Sequence, residues 1–174
     1  RIAFSSEDKI HIINIDGTGL HRLTDSDGSE KYPDWSPSGD KLVYYLDDNI
    51  YVINSDGTNA AKLADNVGNE SRPSWSPNGN LIAFSSGSEI YVMNADGSNV
   101  TRYTYHMEVD KHPTWSQDGS KIAFQSGRDG NHKIYSLDYP GGLITQVTPD
   151  TKWEESPSWS PTAEKIAISS GRNG

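Results

Sequence analysis

Apolar residues in this chain come in short runs with the rhythm of strands. Ile2-Ala3-Phe4, Leu42-Val43-Tyr44, Ile82-Ala83-Phe84, Ile122-Ala123-Phe124 and Ile166-Ala167-Ile168 form one set. Ile10-His11-Ile12-Ile13-Asn14, Ile50-Tyr51-Val52-Ile53-Asn54, Ile90-Tyr91-Val92-Met93-Asn94 and Ile134-Tyr135-Ser136-Leu137-Asp138 form a second. No stretch of useful length has the i, i+3, i+4 spacing of an amphipathic helix, so both sets predict strands. The second set is nearly continuous in Ile, Val and Tyr, as suits a strand covered on both faces.

The two sets recur with a third signature, Pro-x-Trp-Ser, at 33–36, 73–76, 113–116 and 157–160. Trp35, Trp75, Trp115 and Trp159 are therefore 40, 40 and 44 residues apart. From Ile10, Ile50, Ile90 and Ile134 to the next Pro is 23 residues each time, which puts the four extra residues in the loop Gln125 to Lys133. A repeat of about 40 residues with four short strand patterns marks a propeller blade. Pro-x-Trp-Ser opens strand A, with Pro expected at the strand's first residue, where a missing N–H costs least. Ser-Pro-Ser-Gly (36–39), Ser-Pro-Asn-Gly (76–79) and Ser-Gln-Asp-Gly (116–119) turn the chain into strand B. Asp16-Gly17-Thr18, Asp56-Gly57-Thr58 and Asp96-Gly97-Ser98 connect strand C to strand D. The fold class expected is all-β: a β-propeller of four-stranded antiparallel blades, about four of them.

Trp-Ser-Pro-Asn-Gly-Asn-Leu-Ile-Ala-Phe-Ser (75–85), followed by Ile-Tyr-Val-Met-Asn-Ala-Asp-Gly-Ser-Asn (90–99), resembles the TolB-type, or WD-like, propeller repeat. The resemblance runs through essentially the whole chain. It implies a propeller fold and, less specifically, a role in protein binding in the periplasm or outside the cell. Related repeats occur in propeller domains of tricorn-like and prolyl-oligopeptidase-type peptidases and in oligogalacturonate lyases. The resemblance therefore also allows a substrate-gating propeller belonging to a larger peptidase or polysaccharide lyase.

The whole of 1–174 reads as one repeat domain, with blades at about 2–24 joined by 157–170, then 33–64, 73–104 and 113–148. If the last strand A closes against the first B–C–D, one strand B is redundant. A portion of a longer propeller, a closed four-blade ring, and two copies pooling blades are the three arrangements that strand counting leaves. Open edges would favour self-association.

Composition narrows the partners. Fifteen Lys and Arg against 24 Asp and Glu give 174 residues a net charge of −9. That argues against a nucleic-acid backbone or an anionic membrane, both of which need a basic footprint. No apolar run approaches the ~20 residues of a membrane-spanning helix. The acidity points to a protein or peptide partner with basic groups. There is no cysteine, which removes disulfides and thiol nucleophiles.

Candidate chemistry is sparse. No Gly-x-Ser-x-Gly elbow or phosphate-cradling motif occurs, and His11, His21, His106, His112 and His132 lack metal-ligand spacing. No catalytic residue, cofactor or metal is expected. The A–B and C–D turns repeat almost verbatim, whereas the D–A loops 25–32, 65–72, 105–112 and 149–156 differ. Diversity on a uniform scaffold marks the D–A/B–C rim as the binding face. Three residues before each Pro stands an acid: Glu30, Glu70, Asp110 and Glu154. These could form a ring near the axis, or pair with Lys31, Arg72 or Lys111, or cap local amides. Tyr32, Arg72, Tyr105, Met107, His112 and Trp153 share the rim as candidate contacts, aromatic residues, Met and Arg being enriched at interfaces.

Overall fold

The computed structural model describes residues 1–63, 71–149, 153–162 and 165–171. Strands β1 (Ile2–Ser6), β2 (Lys9–Ile13) and β3 (His21–Arg22) form a three-stranded sheet. Three four-stranded antiparallel sheets follow. The first joins β4 (Glu30–Trp35), β5 (Lys41–Leu46), β6 (Asn49–Asn54) and β7 (Ala61–Lys62). The second joins β8 (Ser71–Trp75), β9 (Leu81–Ser86), β10 (Glu89–Asn94) and β11 (Thr101–Arg102). The third joins β12 (Asp110–Trp115), β13 (Lys121–Ser126), β14 (Lys133–Asp138) and β15 (Ile144–Gln146). Strands β16 (Glu154–Trp159) and β17 (Ile166–Ser170) pair with each other in a sheet separate from β1–β3. No helix occurs among the described residues.

Turn chemistry sets the strand lengths. In the B–C hairpins Glu7 and Asp8, Asp47 and Asp48, and Gly87 and Ser88 all have positive φ. Positive φ at both central positions gives the turn whose twist matches antiparallel strands. At the A–B turns the Gly39 N–H donates to Ser36 O and the Lys41 N–H to Ser36 Oγ, repeated by Gly79 and Leu81 on Ser76 and by Gly119 and Lys121 on Ser116. At the C–D turns the Thr18, Thr58 and Ser98 N–H groups donate to Asp16, Asp56 and Asp96 Oδ1, each at 2.9 Å.

The core lies between sheets. Side chains alternate faces along a strand, so Leu42, Tyr44 and Leu46 pack toward Ile10 and Ile12, while Val43 packs with Ile50, Trp75, Ile82, Phe84 and Met93. Ala83, Ile90, Val92, Trp115, Ile122, Phe124, Tyr135 and Leu137 fill the next interface. Trp75 and Trp115 are thus inter-blade residues, as their repeat position implies. Each fully buried aliphatic side chain contributes about 1.5–3 kcal/mol.

The inner strands depart from the sequence expectation in one respect. Strand A begins before Pro rather than at it, three residues before in β4, β12 and β16 and at Ser71 in β8. Lys31 pairs with Tyr45 and Asp34 with Val43, so Tyr32 and Pro33 together oppose Tyr44. The same two-against-one shift occurs between Ser71 and Ser74, Lys111 and Thr114, and Glu155 and Ser158. These are β-bulges, the other strand site where a missing N–H breaks no ladder bond. The bulge residue before each Pro is Tyr32, Arg72, His112 or Ser156, with φ of 55°, 51°, 58° and 52°.

Candidate functional site

The bulges decide where the rim side chains go. Glu30, Asp110 and Glu154 are buried, and their backbone N–H groups donate to Asp8 O, Ser88 O and His132 O of the preceding blade at 3.1, 2.8 and 2.9 Å. The Glu30 carboxylate accepts from the Ile10 N–H at 3.2 Å and from Ser26 Oγ at 2.6 Å, with Thr24 Oγ1 in close contact. Asp110 Oδ2 accepts from Arg128 at 2.9 Å. Its carboxyl is nonetheless held above the ordinary carboxylate range, burial outweighing Ser126 and Arg128. These acids hold one blade to the next and form no open ring around the axis. Local amides and hydroxyls bind Glu30, one of the alternatives the sequence left, and Arg128 rather than Lys31, Arg72 or Lys111 pairs with Asp110. Glu70 lies outside the described residues.

One residue past the acid and its neighbour, the bulge brings Tyr32, Arg72 and His112 together. They line a cavity of about 530 Å³ with Lys31, Ser71 and Lys111, closed on one side by Tyr45 and Asp48 from the β5–β6 hairpin. The same three residues border a second space of about 220 Å³ nearer the inner strands, walled by Pro33, Pro73, Pro113 and Pro157 with Asp34, Ser74, Thr114 and Ser156. The two spaces adjoin at Tyr32, Arg72 and His112, one bordered by the β5–β6 hairpin and the other by the four prolines.

Arg72 lies over the Tyr32 ring, 4.1 Å from its centroid, and donates to the Tyr32 hydroxyl at 3.3 Å. Tyr32 in turn meets Tyr45 at a centroid distance of 6.1 Å. His112 Nδ1 is 3.2 Å from Ser156 Oγ. Burial, together with the charges of Arg72 and Lys111, pushes the imidazole down to about 3, so His112 is neutral near pH 7. Asp34 Oδ2 accepts from the Trp75 N–H at 2.7 Å, bridging two inner strands. Burial pushes its carboxyl up to about 6, against the lowering effect of the Trp75 and Trp35 amides. Among the described residues no three His, Cys, Asp or Glu side chains converge as a metal-binding set.

Tyr105, Met107 and Trp153 line neither space. Tyr105 and Met107 are 74% and 98% exposed on the loop after β11, and Arg102 covers the Tyr105 ring at 4.5 Å. Trp153 is half-exposed and meets the His132 ring at a centroid distance of 4.5 Å, the planes tilted by 47°. Three of the ten candidate rim residues therefore meet in one place. Tyr45, Asp48, Asp34 and Ser156 went unrecognised in the sequence. Position 156 carried a usable signal, because the residue before Pro is Tyr, Arg, His and Ser in an otherwise repeated motif.

The family model described as the TolB beta propeller domain matches residues 85–174, just over half of the chain. A second, for the N-terminal region of dipeptidyl peptidase IV, matches residues 2–69. No curated protein matches in sequence. Among solved structures, TolB from Acinetobacter baumannii superposes with a TM-score of 0.77 at 25% identity, over 92% of this chain and 42% of that one. The present chain thus spans less than half the length of that TolB. A putative TolB from Agrobacterium tumefaciens gives 0.56 at 19% identity, over 94% and 77%. A chain of a nidogen/laminin complex gives 0.84 at 10% identity, over 97% and 69%, a likeness of fold.

Proposed function

The chain belongs to the TolB β-propeller domain family, and from that premise we propose that it is a non-enzymatic scaffold that binds a protein or peptide segment at its D–A/B–C rim. The observation that carries the reading is the cavity shared by Tyr32, Arg72 and His112, which adjoins a second space bordered by four prolines. The three side chains stand at bulge positions and share one cavity, and the packed inter-blade core supports the strands that carry them. Two aromatic rings and a guanidinium are the side-chain types that anchor interfaces. The net charge of −9 favours encounter with partners carrying basic groups, an effect screened beyond about 8–10 Å at physiological salt. The setting proposed, periplasmic or extracellular, follows from the family resemblance.

The test is selection of linear dodecapeptides from a displayed random library on the purified protein, with bound peptides mapped by amide hydrogen exchange. Protection is expected at 30–34, 71–74 and 110–114. Binders that protect only the A–B and C–D turns, or a library that yields none, overturn the rim assignment.

A second reading has its own support in the dipeptidyl peptidase IV match at 2–69. In it the same opening admits substrate to a peptidase domain of a longer protein. Peptide hydrolysis by such a protein, slowed by bulky substitutions at Ser74 or Thr114 in the second space, would favour this reading over the scaffold.

A further inference from the structure

We propose that the rim cavity is a carboxylate pocket, in which Arg72, flanked by Lys31 and Lys111, holds a carboxylate carried by a peptide. The proposal rests on the rim-binding reading and gives it a chemistry opposite in sign to the chain as a whole. Although the protein carries a net charge of −9, three cationic side chains and a single carboxylate, Asp48, line this cavity. The acids of the same strands are turned away into the blade interfaces, as Glu30 and Asp110 show.

Arg72 is set apart from the other arginines near acids. Arg22 pairs with Asp25, Arg102 with Glu89 and Arg128 with Asp110. Among the described residues, Arg72 and Lys111 have no carboxylate within ion-pair distance, and Lys31 reaches only Asp8 at 3.8 Å. Glu155 acts on Arg72 electrostatically without touching it. Arg72's one hydrogen bond uses a terminal nitrogen on the Tyr32 hydroxyl, whereas a guanidinium has five N–H donors. Stacking on Tyr32 fixes the plane of the fork while most of its donors remain to be used. A half-buried, oriented guanidinium with open donors suits a planar carboxylate, which it can bind through two parallel bonds. Asp48, in the hairpin, Asp34, in the adjoining space, Glu155, which acts on Arg72, and Asp8, beside Lys31, are the acids such a ligand would meet. His112 is neutral and adds no competing charge.

The experiment follows the Arg72 side-chain Nε–H and the amides of 71–74 and 111–114 by nitrogen–proton NMR while three tripeptides are titrated in. They are N-acetyl-Ala-Ala-Tyr with a free C-terminal carboxylate, the same peptide as its C-terminal amide, and N-acetyl-Ala-Glu-Tyr amide. At least one acidic peptide is expected to bind about 10-fold or more tightly than the neutral amide, as a charged hydrogen-bonded pair of ~1.5–3 kcal/mol implies. The tighter of the two acids names the source, chain terminus or side chain. Arg72→Gln should abolish the discrimination, and Arg72→Lys should retain part of it. Both variants keep an L-residue at the same φ, so neither adds backbone strain. Raising salt from about 50 to about 500 mM should weaken only the acidic peptides.

Equal binding of acid and amide at these amides overturns the carboxylate pocket while leaving rim binding intact. Discrimination that survives Arg72→Gln also overturns it. Silence toward all three peptides at about 10 mM overturns it as well, and the dodecapeptide selection then decides the rim reading separately.

Discussion

Gly17 and Gly97 occupy the same place in two copies of the C–D turn, with φ of +82° and +86°. A Cβ at position 17 meets nothing within 4 Å, whereas one at position 97 would lie 2.2 Å from Leu63 O and 2.8 Å from the Leu63 carbonyl carbon. Gly17→Ala therefore carries only the left-handed backbone penalty, about 1–2 kcal/mol, partly offset because alanine restricts the unfolded chain. Gly97→Ala carries that penalty and must also push backbone of the adjacent blade away by roughly 1 Å, of the order of 1–3 kcal/mol more in a close-packed interface. Urea unfolding followed by tryptophan fluorescence measures both, with midpoints compared at equal m-values. The expected difference between the two variants is about 2 kcal/mol, with Gly97→Ala the less stable. Equal losses would show that the turn is strained by φ alone and that the blade contact at Leu63 bears no load. That result would refute the account of blades as tightly abutting units.

Three further outcomes follow from buried polar groups. The raised Asp34 carboxyl favours the folded state when protonated, so its contribution is greatest below about 3.8 and is lost as pH rises through about 6; Asp34→Asn should remove this slope from the urea midpoint measured between pH 4 and 7. Arg128→Met leaves buried Asp110 without its cation and should cost about 3–5 kcal/mol, while the double variant with Asp110→Asn regains much of it by the same assay. Thr24→Val removes the hydroxyl that accepts from the Ile10 N–H and contacts Glu30. It should cost about 1–2 kcal/mol and speed hydrogen exchange at Ile10, whereas an unchanged exchange rate would count against the Thr24–Glu30 clasp.

The blades were readable because their determinants are local and repeated. Short apolar runs, Asp-Gly turns and a tryptophan every 40 or 44 residues each specify strand, hairpin and inter-blade packing without long-range knowledge. The site was less readable for a geometric reason. A bulge inserts one residue and resets the alternation of faces, so counting by twos from Trp35 back to Glu30 assigns the wrong direction to the acid. Tyr, Arg and Ser do not announce a positive φ, and of the residues at 32, 72, 112 and 156 only His112 is of a type enriched there. The Arg128–Asp110 pair was hidden in another way. Its members are 18 residues apart, and Arg128 sits in the loop that is lengthened in a single repeat. Pairings of this kind depend on where a loop folds back, which periodicity does not record.

The run of positive-φ residues before proline has a consequence for how such a protein diversifies. At 32, 72, 112 and 156 exchange among unbranched non-glycine residues leaves the backbone cost nearly unchanged, Asn, Asp and His lower it, and Val, Ile and Thr raise it. The neighbouring proline donates nothing to the ladder, and the tryptophan two residues further on belongs to the packing between blades. Under the proposed rim reading, exchange among unbranched residues at these four sites would alter ligand preference while folding stability stays nearly constant, and duplication of a blade would supply one more such position. Ligand preference and architecture are encoded at separate, interleaved positions, so selection can revise the first without renegotiating the second.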